Sequence, residues 1–251
     1  MTGLAKAFGG VHALQDVHLT VAPSSVTSLI GPNGSGKSTS INLITGMYRA
    51  DAGQVIAFGE DITRAKTERI ARMGIIRTFQ TPRLFPSMTA LENVLTGAHI
   101  HVRTNFLSQA VGVYRRSRAE RELREQAREL LDIVGLADRS GENAAALSTG
   151  SQKLLDLVRA LMARPRLLML DEPAAGLNDA ETAELGRLMG AMRDIGLTVV
   201  FVEHNMSLVL SVSDQIIALD RGRVVFDGEP EAFRVDKAVS DAFLGKVGDD
   251  E

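Results

Sequence analysis

Nine consecutive residues, Gly31-Pro32-Asn33-Gly34-Ser35-Gly36-Lys37-Ser38-Thr39, carry the most specific chemistry in this sequence. Glycine at 31, 34 and 36 lets a backbone close around an anion where side chains would clash. Successive N–H groups and a helix N-terminus then face phosphate oxygens. In such a loop Lys37 reaches the β- and γ-phosphates of a nucleotide and Ser38 holds Mg²⁺. A glycine-rich turn could match this pattern by chance. The apolar run 26–30 before it and the helical pattern 39–47 after it supply the strand–turn–helix order that a P-loop requires.

Two further groups could act on the same ligand. Leu167-Leu168-Met169-Leu170 ends in Asp171-Glu172. Ligands of open α/β sheets bind at the carboxyl ends of strands, which places Asp171 beside the phosphates and Mg²⁺ and Glu172 nearer the γ-phosphate. There Glu172 can polarise a water as general base. Alone, the pair reads equally well as an acidic turn; behind a complete P-loop the functional reading prevails. The third group is Leu147-Ser148-Thr149-Gly150-Ser151-Gln152, ahead of a helical pattern over 153–162. Ser148 and Gly150 at a helix start make either a second anion-binding surface or a plain N-cap.

The elements that must position these residues are readable too. Runs 26–30, 167–170 and 198–202 are short and almost continuously apolar, as in parallel strands buried on both faces. Helical patterns lie between them, so the class is α/β. A further strand is expected over 53–58, and 215–219 with 223–226 reads as a hairpin around Asp220-Arg221-Gly222. Residues 89–147 are helical in pattern, and a helix is expected over 118–134. Its apolar face is Ala119, Leu123, Ala127, Leu130, Leu131 and Val134, its ion pairs are Glu120–Arg124 and Arg121–Glu125, and its C-cap is Gly135. The end, 248–251, reads as a frayed acidic tail.

Composition narrows the classes. The 251 residues suffice for one large domain or two small ones. Against 31 acidic side chains there are 28 basic ones, a net charge of −3, with no general pull toward nucleic acid. There is no cysteine, hence no disulfide and no thiolate chemistry. No apolar run approaches the ~20 residues of a membrane helix, and the first residues lack the pattern of a signal peptide. The expected location is the cytoplasm. His99 and His101 make a poor metal site, because positions i and i+2 of a helix diverge and no carboxylate cluster accompanies them. The basic run Arg115, Arg116, Arg118, Arg121, Arg124, Arg128 is cancelled by Glu120, Glu122, Glu125 and Glu129, as on a solvated helix face. Residues 81–88 mix Pro, Leu, Phe and Met without a period, a pattern of a contact loop or of a loop folded back on the helical segment.

Taken together, these motifs resemble the ATP-binding subunit of an ABC transporter over almost the whole chain. Residues 147–152 are similar to the ABC signature, with Thr149 and Ser151 departing from its pattern. Gln80, in Arg77-Thr78-Phe79-Gln80, resembles the Q-loop glutamine, and His204 resembles the switch histidine. Ala174-Ala175-Gly176-Leu177-Asn178 resembles the D-loop, and Phe8 the aromatic that stacks on adenine. The resemblance implies a P-loop NTPase fold: a RecA-like core and antiparallel β region (1–88 and 148–219), an inserted helical subdomain (89–147) and a C-terminal hairpin and tail (220–251). ATP and Mg²⁺ are the implied ligands. Phe8, Gly31 to Thr39, Ser148 and Gly150 would bind nucleotide; Ser38, Gln80 and Asp171 would serve the metal; Glu172, His204 and Gln80 would serve catalysis.

Finer segments are similar to the ATPases of branched-chain amino acid importers: 8–14, the Arg77-Thr78-Phe79-Gln80 stretch, 83–94, 172–178, 226–230 and 242–245. The resemblance implies transmembrane permease partners, a second ATPase subunit (identical or a paralogue) and, indirectly, an extracytoplasmic binding protein. The chain would sit on the inner face of the membrane through its permeases. Alternatives are the ATPase of a lipid or lipopolysaccharide exporter, and a non-transport ABC clamp. The latter usually carries two nucleotide domains or long coiled coils, neither of which is visible in this sequence.

Overall fold

The computed structural model describes residues 1–101, 113–236 and 243, and in 100–101 and 113–117 the backbone alone. The acidic end 248–251 and most of 242–245 therefore lie outside the described residues, as do the side chains of His101, Arg115 and Arg116. The described residues form two compact units: 1–77 joined with those from 167 onward, and 78–166.

In the first unit β1 (Thr2–Phe8) pairs antiparallel with β2 (Val11–Val17). The apolar run β3 (Val26–Ile30) is buried at every residue. β4 (Ala52–Gln54) pairs with the other edge of β1, whereas β5 (Ile56–Ala57) pairs with β6 (Glu60–Asp61). The single strand expected over 53–58 is thus two strands in different sheets. Val55 between them turns into the core at 3% exposure, and its N–H is taken by the Thr63 hydroxyl. β7 (Ile75–Arg77), β8 (Leu167–Asp171), β9 (Thr198–Val202), β10 (Gln215–Asp220) and β11 (Arg223–Gly228) complete a six-stranded sheet of order β11-β10-β3-β9-β8-β7. It is parallel except for the edge hairpin β10–β11. That hairpin turns on Arg221 and Gly222, both at positive φ, the two-residue geometry that follows the twist of its strands. The core joins both sheets: Leu4 and Leu14 of the antiparallel one cluster with Leu29, Val200 and Ile217 of the other and with Ile41.

Helices of this unit are α1 (Lys37–Ile44), α2 (Thr67–Arg72), α6 (Asp179–Asp194), α7 (Met206–Val212) and α8 (Pro230–Val235). α1 begins two residues before the expected 39–47 and ends three earlier.

In the second unit α3 (Ala90–Gly97), α4 (Val113–Ile133) and α5 (Thr149–Met162) pack on one another. α4 forms both expected ion pairs, at 3.2 Å for Glu120–Arg124 and 3.8 Å for Arg121–Glu125. Gly135 follows it at φ 67° as the left-handed cap. Only part of its expected apolar face is packed: Ala127, Leu131 and Val134 are buried, whereas Ala119 is exposed.

Loop 81–88 is tied to this unit by its backbone. Asn93, wholly buried on α3, accepts the Phe85 N–H at 2.8 Å. Its amide nitrogen lies 3.0–3.2 Å from the carbonyls of Phe85, Met88 and Thr89. The side chains of Phe85 and Met88 stay exposed, at 48% and 38%. Replacing Asn93 by Ala strands these backbone groups, and we expect a loss of about 1–3 kcal/mol of stability, measured by denaturant unfolding. A change below a few tenths of a kcal/mol would mean the amide does not hold the loop.

Candidate functional site

Strand register sets the geometry. Leu29 of β3 lies opposite Val202 of β9, and Val202 lies opposite Asp171 of β8. Ile30, Glu203 and Glu172 therefore follow at one level, with Gly31 the next residue, on the carboxyl edge where α/β sheets bind ligands.

At that edge the loop 31–36 turns into α1. Gly31 has φ 154°, and a Cβ there would lie 2.3 Å from the Leu219 carbonyl and 2.4 Å from Ser35 Oγ. Gly36 caps the helix at φ 108°, and a Cβ there would meet Leu14 at 2.5 Å. Close packing on the protein side thus demands glycine at both positions. The loop is braced by the β10–β11 turn, whose Gly222 N–H donates to the Ser35 carbonyl at 2.9 Å. Ser35 Oγ is buried with no hydrogen-bond partner among the described residues.

The helix start itself is left open to a ligand. α3 and α6 begin with complete capping boxes, and Ser148 and Asn205 cap α5 and α7. α1 has no side-chain cap and no acidic residue in its first turn. Among the described residues no side chain caps this helix start, which suits a phosphate.

Lys37 folds back over the loop, its ammonium donating to the carbonyls of Gly31 at 2.6 Å and Pro32 at 2.9 Å. Burial pulls its pKa below the ordinary lysine value, while Glu172 and Asp171 pull it the other way. Those influences place both carboxylates within electrostatic reach of Lys37. Asp171 is almost buried and accepts Arg77 Nη2 at 2.6 Å. Arg77 also donates to Asn42 of α1 at 2.5 Å, so one guanidinium joins β7, β8 and α1.

Glu172 has left-handed backbone at φ 47°, unusual for a residue with a side chain, and its N–H donates to the Val202 carbonyl at 3.0 Å. Strained backbone of this kind marks functional sites. Beside it Glu203, 1% exposed, accepts three backbone N–H groups: Ala174 at 2.8 Å, His204 at 3.0 Å and Asn205 at 3.1 Å. It ties the segment after Glu172 to the segment carrying His204. His204 itself is mostly exposed, with Nδ1 3.8 Å from Glu203. Glu203 and Arg77 were absent from the residues expected to form the site, although a carboxylate directly after the apolar run 198–202 is a visible signal.

Phe8 is not a core residue: it is 42% exposed, meets Tyr48 edge-to-face at 5.2 Å and lies under the Lys6 ammonium. The first unit thus gathers Gly31 to Thr39, Asp171, Glu172 and His204, and also contains Phe8. Gln80, Ser148 and Gly150 belong to the second unit. There Ser148 caps α5 by accepting the Ser151 N–H at 3.2 Å, and its hydroxyl donates to that of Ser151 at 3.0 Å. That cap starts the helix at 149 rather than 153. Gln152 holds the approach to it, donating to the carbonyls of Ala144 and Leu147, both at 3.1 Å. Among the described residues no helix is long and apolar enough to cross a membrane.

Known proteins agree with this layout. The family model described as "ABC transporter" matches residues 14–175. The chain is 43% identical to the high-affinity branched-chain amino acid transport ATP-binding protein BraF of Pseudomonas aeruginosa, over 98% of this chain and 97% of that one. It is 38% identical to LivG of Escherichia coli K12, named likewise, over the same shares. Among solved structures, the ADP conformation of MJ1267, an ATP-binding cassette of an ABC transporter, superposes with a TM-score of 0.83 at 32% identity, covering 99% of this chain and 97% of that one. A dimeric post-hydrolysis state of the cassette MJ0796, bound to ADP and Pi, gives 0.76 at 26% identity, covering 91% and 97%.

Lys37→Ala should weaken nucleotide binding by about 1.5–3 kcal/mol, the worth of a hydrogen bond to a charged group, or about 10- to 150-fold in Kd. Titration with a fluorescent nucleotide checks this; an unchanged Kd would exclude Lys37 from the phosphate site.

Proposed function

The chain belongs to the ABC transporter ATPases, and on that premise we propose that it is the ATP-hydrolysing subunit of an importer for branched-chain amino acids. The observation that carries the catalytic part is one carboxyl edge of the sheet that holds Asp171, a left-handed Glu172 and the loop leading into an uncapped helix start with Lys37. The substrate class rests on the near full-length likeness to BraF and LivG.

Main-chain N–H groups of 31–36 and the start of α1 cradle the phosphates, and Lys37 swings from its two carbonyl acceptors onto the β- and γ-oxygens. Phe8 offers an exposed ring to the adenine. Ser38 and Asp171 offer hard oxygen donors, and no cluster of three or more His, Cys, Asp or Glu side chains exists among the described residues. That donor set fits Mg²⁺, which takes one or two protein ligands and completes its shell with phosphate and water. When bound, Mg²⁺ supplies charge neutralisation to the phosphate oxygens. Gln80 serves the same centre.

Glu172 accepts a proton from the attacking water as its oxygen bonds to the γ-phosphorus and the bond to the bridging oxygen breaks, giving ADP and phosphate. His204, held by the Glu203 clamp, steadies the γ-phosphate. Ser148 and Gly150 act on the nucleotide of a second ATPase subunit, so ATP favours the closed pair by its differential affinity for it. Permease subunits dock at the exposed side chains of Phe85 and Met88.

Glu172→Gln should bind MgATP yet turn over about 10²–10⁴-fold more slowly, the usual loss of a general base, and should collect as a nucleotide-bound dimer in light scattering. Wild-type turnover would remove Glu172 from the role of base. Phe85→Asp should leave nucleotide affinity intact and abolish co-purification with the permease subunits that the wild-type chain binds; retention of the complex would overturn the docking assignment.

A further inference from the structure

Two side chains of α5 hold the segment that carries Gln80. Asp156 is 3% exposed, on a stretch of α5 whose Leu155, Leu157 and Val158 are buried as well. A carboxylate there is costly unless it is paired and hydrogen-bonded. It is both: it pairs with Arg159, one turn further along, and accepts the backbone N–H of Phe79. Arg159 in turn donates to the backbone carbonyl of Arg83. The Arg83 guanidinium lies 4.4 Å from the centre of the Phe79 ring, a cation–π contact.

Asp156, Arg159, Arg83 and Phe79 thus form a closed circuit, all within the second unit. Residues 80–82 are the stretch it encloses. Both ends of the Gln80 segment are attached to one turn of α5, about two helical turns beyond Ser148 at its start. The bonds at those ends go to the peptide backbone of Phe79 and Arg83, so they constrain the path of the chain whatever the side chain of residue 80 does.

We propose that Asp156 and Arg159 are positioning residues that join the Gln80 segment to the helix headed by Ser148 and Gly150, so that a displacement of that helix carries Gln80 with it. The functional consequence rests on the assignment of Gln80 to the nucleotide made above. Nucleotide capture by residues 31–39 does not require the circuit. Turnover does, because a reacting group misplaced by about 1 Å can cost up to about 10²-fold. The signature helix and the Q-loop glutamine then report on the nucleotide as one body.

The test uses the full-length chain with Asp156→Ala, with Asp156→Asn (whose amide oxygen still accepts the Phe79 N–H) and with Gln80→Ala. Hydrogen exchange by mass spectrometry reads residues 79–83 and 149–162 separately. In Asp156→Ala the amides of 79–83 should exchange about tenfold faster or more while those of α5 keep their protection. kcat should fall about 10- to 100-fold, with KM for ATP within about twofold. Asp156→Asn should restore part of the protection at 79–83 and part of kcat. Adding Asp156→Ala to Gln80→Ala should cost nothing further. Unchanged exchange at 79–83 in Asp156→Ala overturns the proposal. So does equal loss of protection throughout α5, the sign of a plain helix-packing role, or an additive loss in the double variant. Wild-type turnover in Gln80→Ala overturns the assignment of Gln80 instead, and the exchange data then still decide the circuit.

Discussion

Three parallel strands buried on both faces have little freedom to slide, and the site rests on that. β3 and β9 bury every residue, so a shift of one position would draw Glu203 or Asp171 into apolar surroundings or push a core residue out. The register Leu29–Val202–Asp171 is the one that leaves the carboxylates at the edge. Everything that handles phosphate inherits its place from there. The Gly222 N–H braces the loop, Arg77 anchors Asp171 to α1, and Glu203 ties the segment after Glu172 to the one carrying His204. These braces are backbone bonds or nearly buried charge pairs, which hold position better than exposed ion pairs such as those of α4.

Helix starts in this chain are finished in two ways. α3 and α5 satisfy their own first N–H groups with side chains. α1 does not, and its partly desolvated lysine sits beside that open end. A helix start of this kind is stabilised by whatever anion arrives, so ligand binding and local order at α1 are linked. Ser148 takes the N-cap role. Its hydroxyl caps α5 and engages Ser151, the residue that stands where the family pattern has glutamine.

Much of this was legible in the residue pattern. Almost continuously apolar runs of four or five residues fall on β3, β8 and β9, and the Arg221-Gly222 pair falls on the hairpin turn, because both signals are local. The glycine loop was legible for the same reason. What escaped depended on partners distant in sequence. The 53–58 stretch has strand composition, but Val55 is claimed by the core and its two halves by different neighbours. The start of α5 was placed four residues late, since a Ser cap and a small-residue first turn carry no apolar period. Ala119 has helical spacing but is exposed. Glu203, Arg77 and Asp156 are single charges whose importance lies in backbone N–H groups 29 or 77 residues away, in a side-chain amide 35 residues away or in a carboxylate 94 residues away.

The left-handed backbone at Glu172 sets folding against turnover. An L-residue held there costs about 1–2 kcal/mol relative to glycine, which meets no Cβ clash in that region. The fold would therefore be relaxed by Gly, and to a lesser degree by Asn, at this position. A directed-evolution campaign selecting on heat resistance alone would be drawn toward such replacements and would return sturdier proteins stripped of the carboxylate that we propose as the general base. Thermal and kinetic scoring must be run side by side for any library that opens position 172.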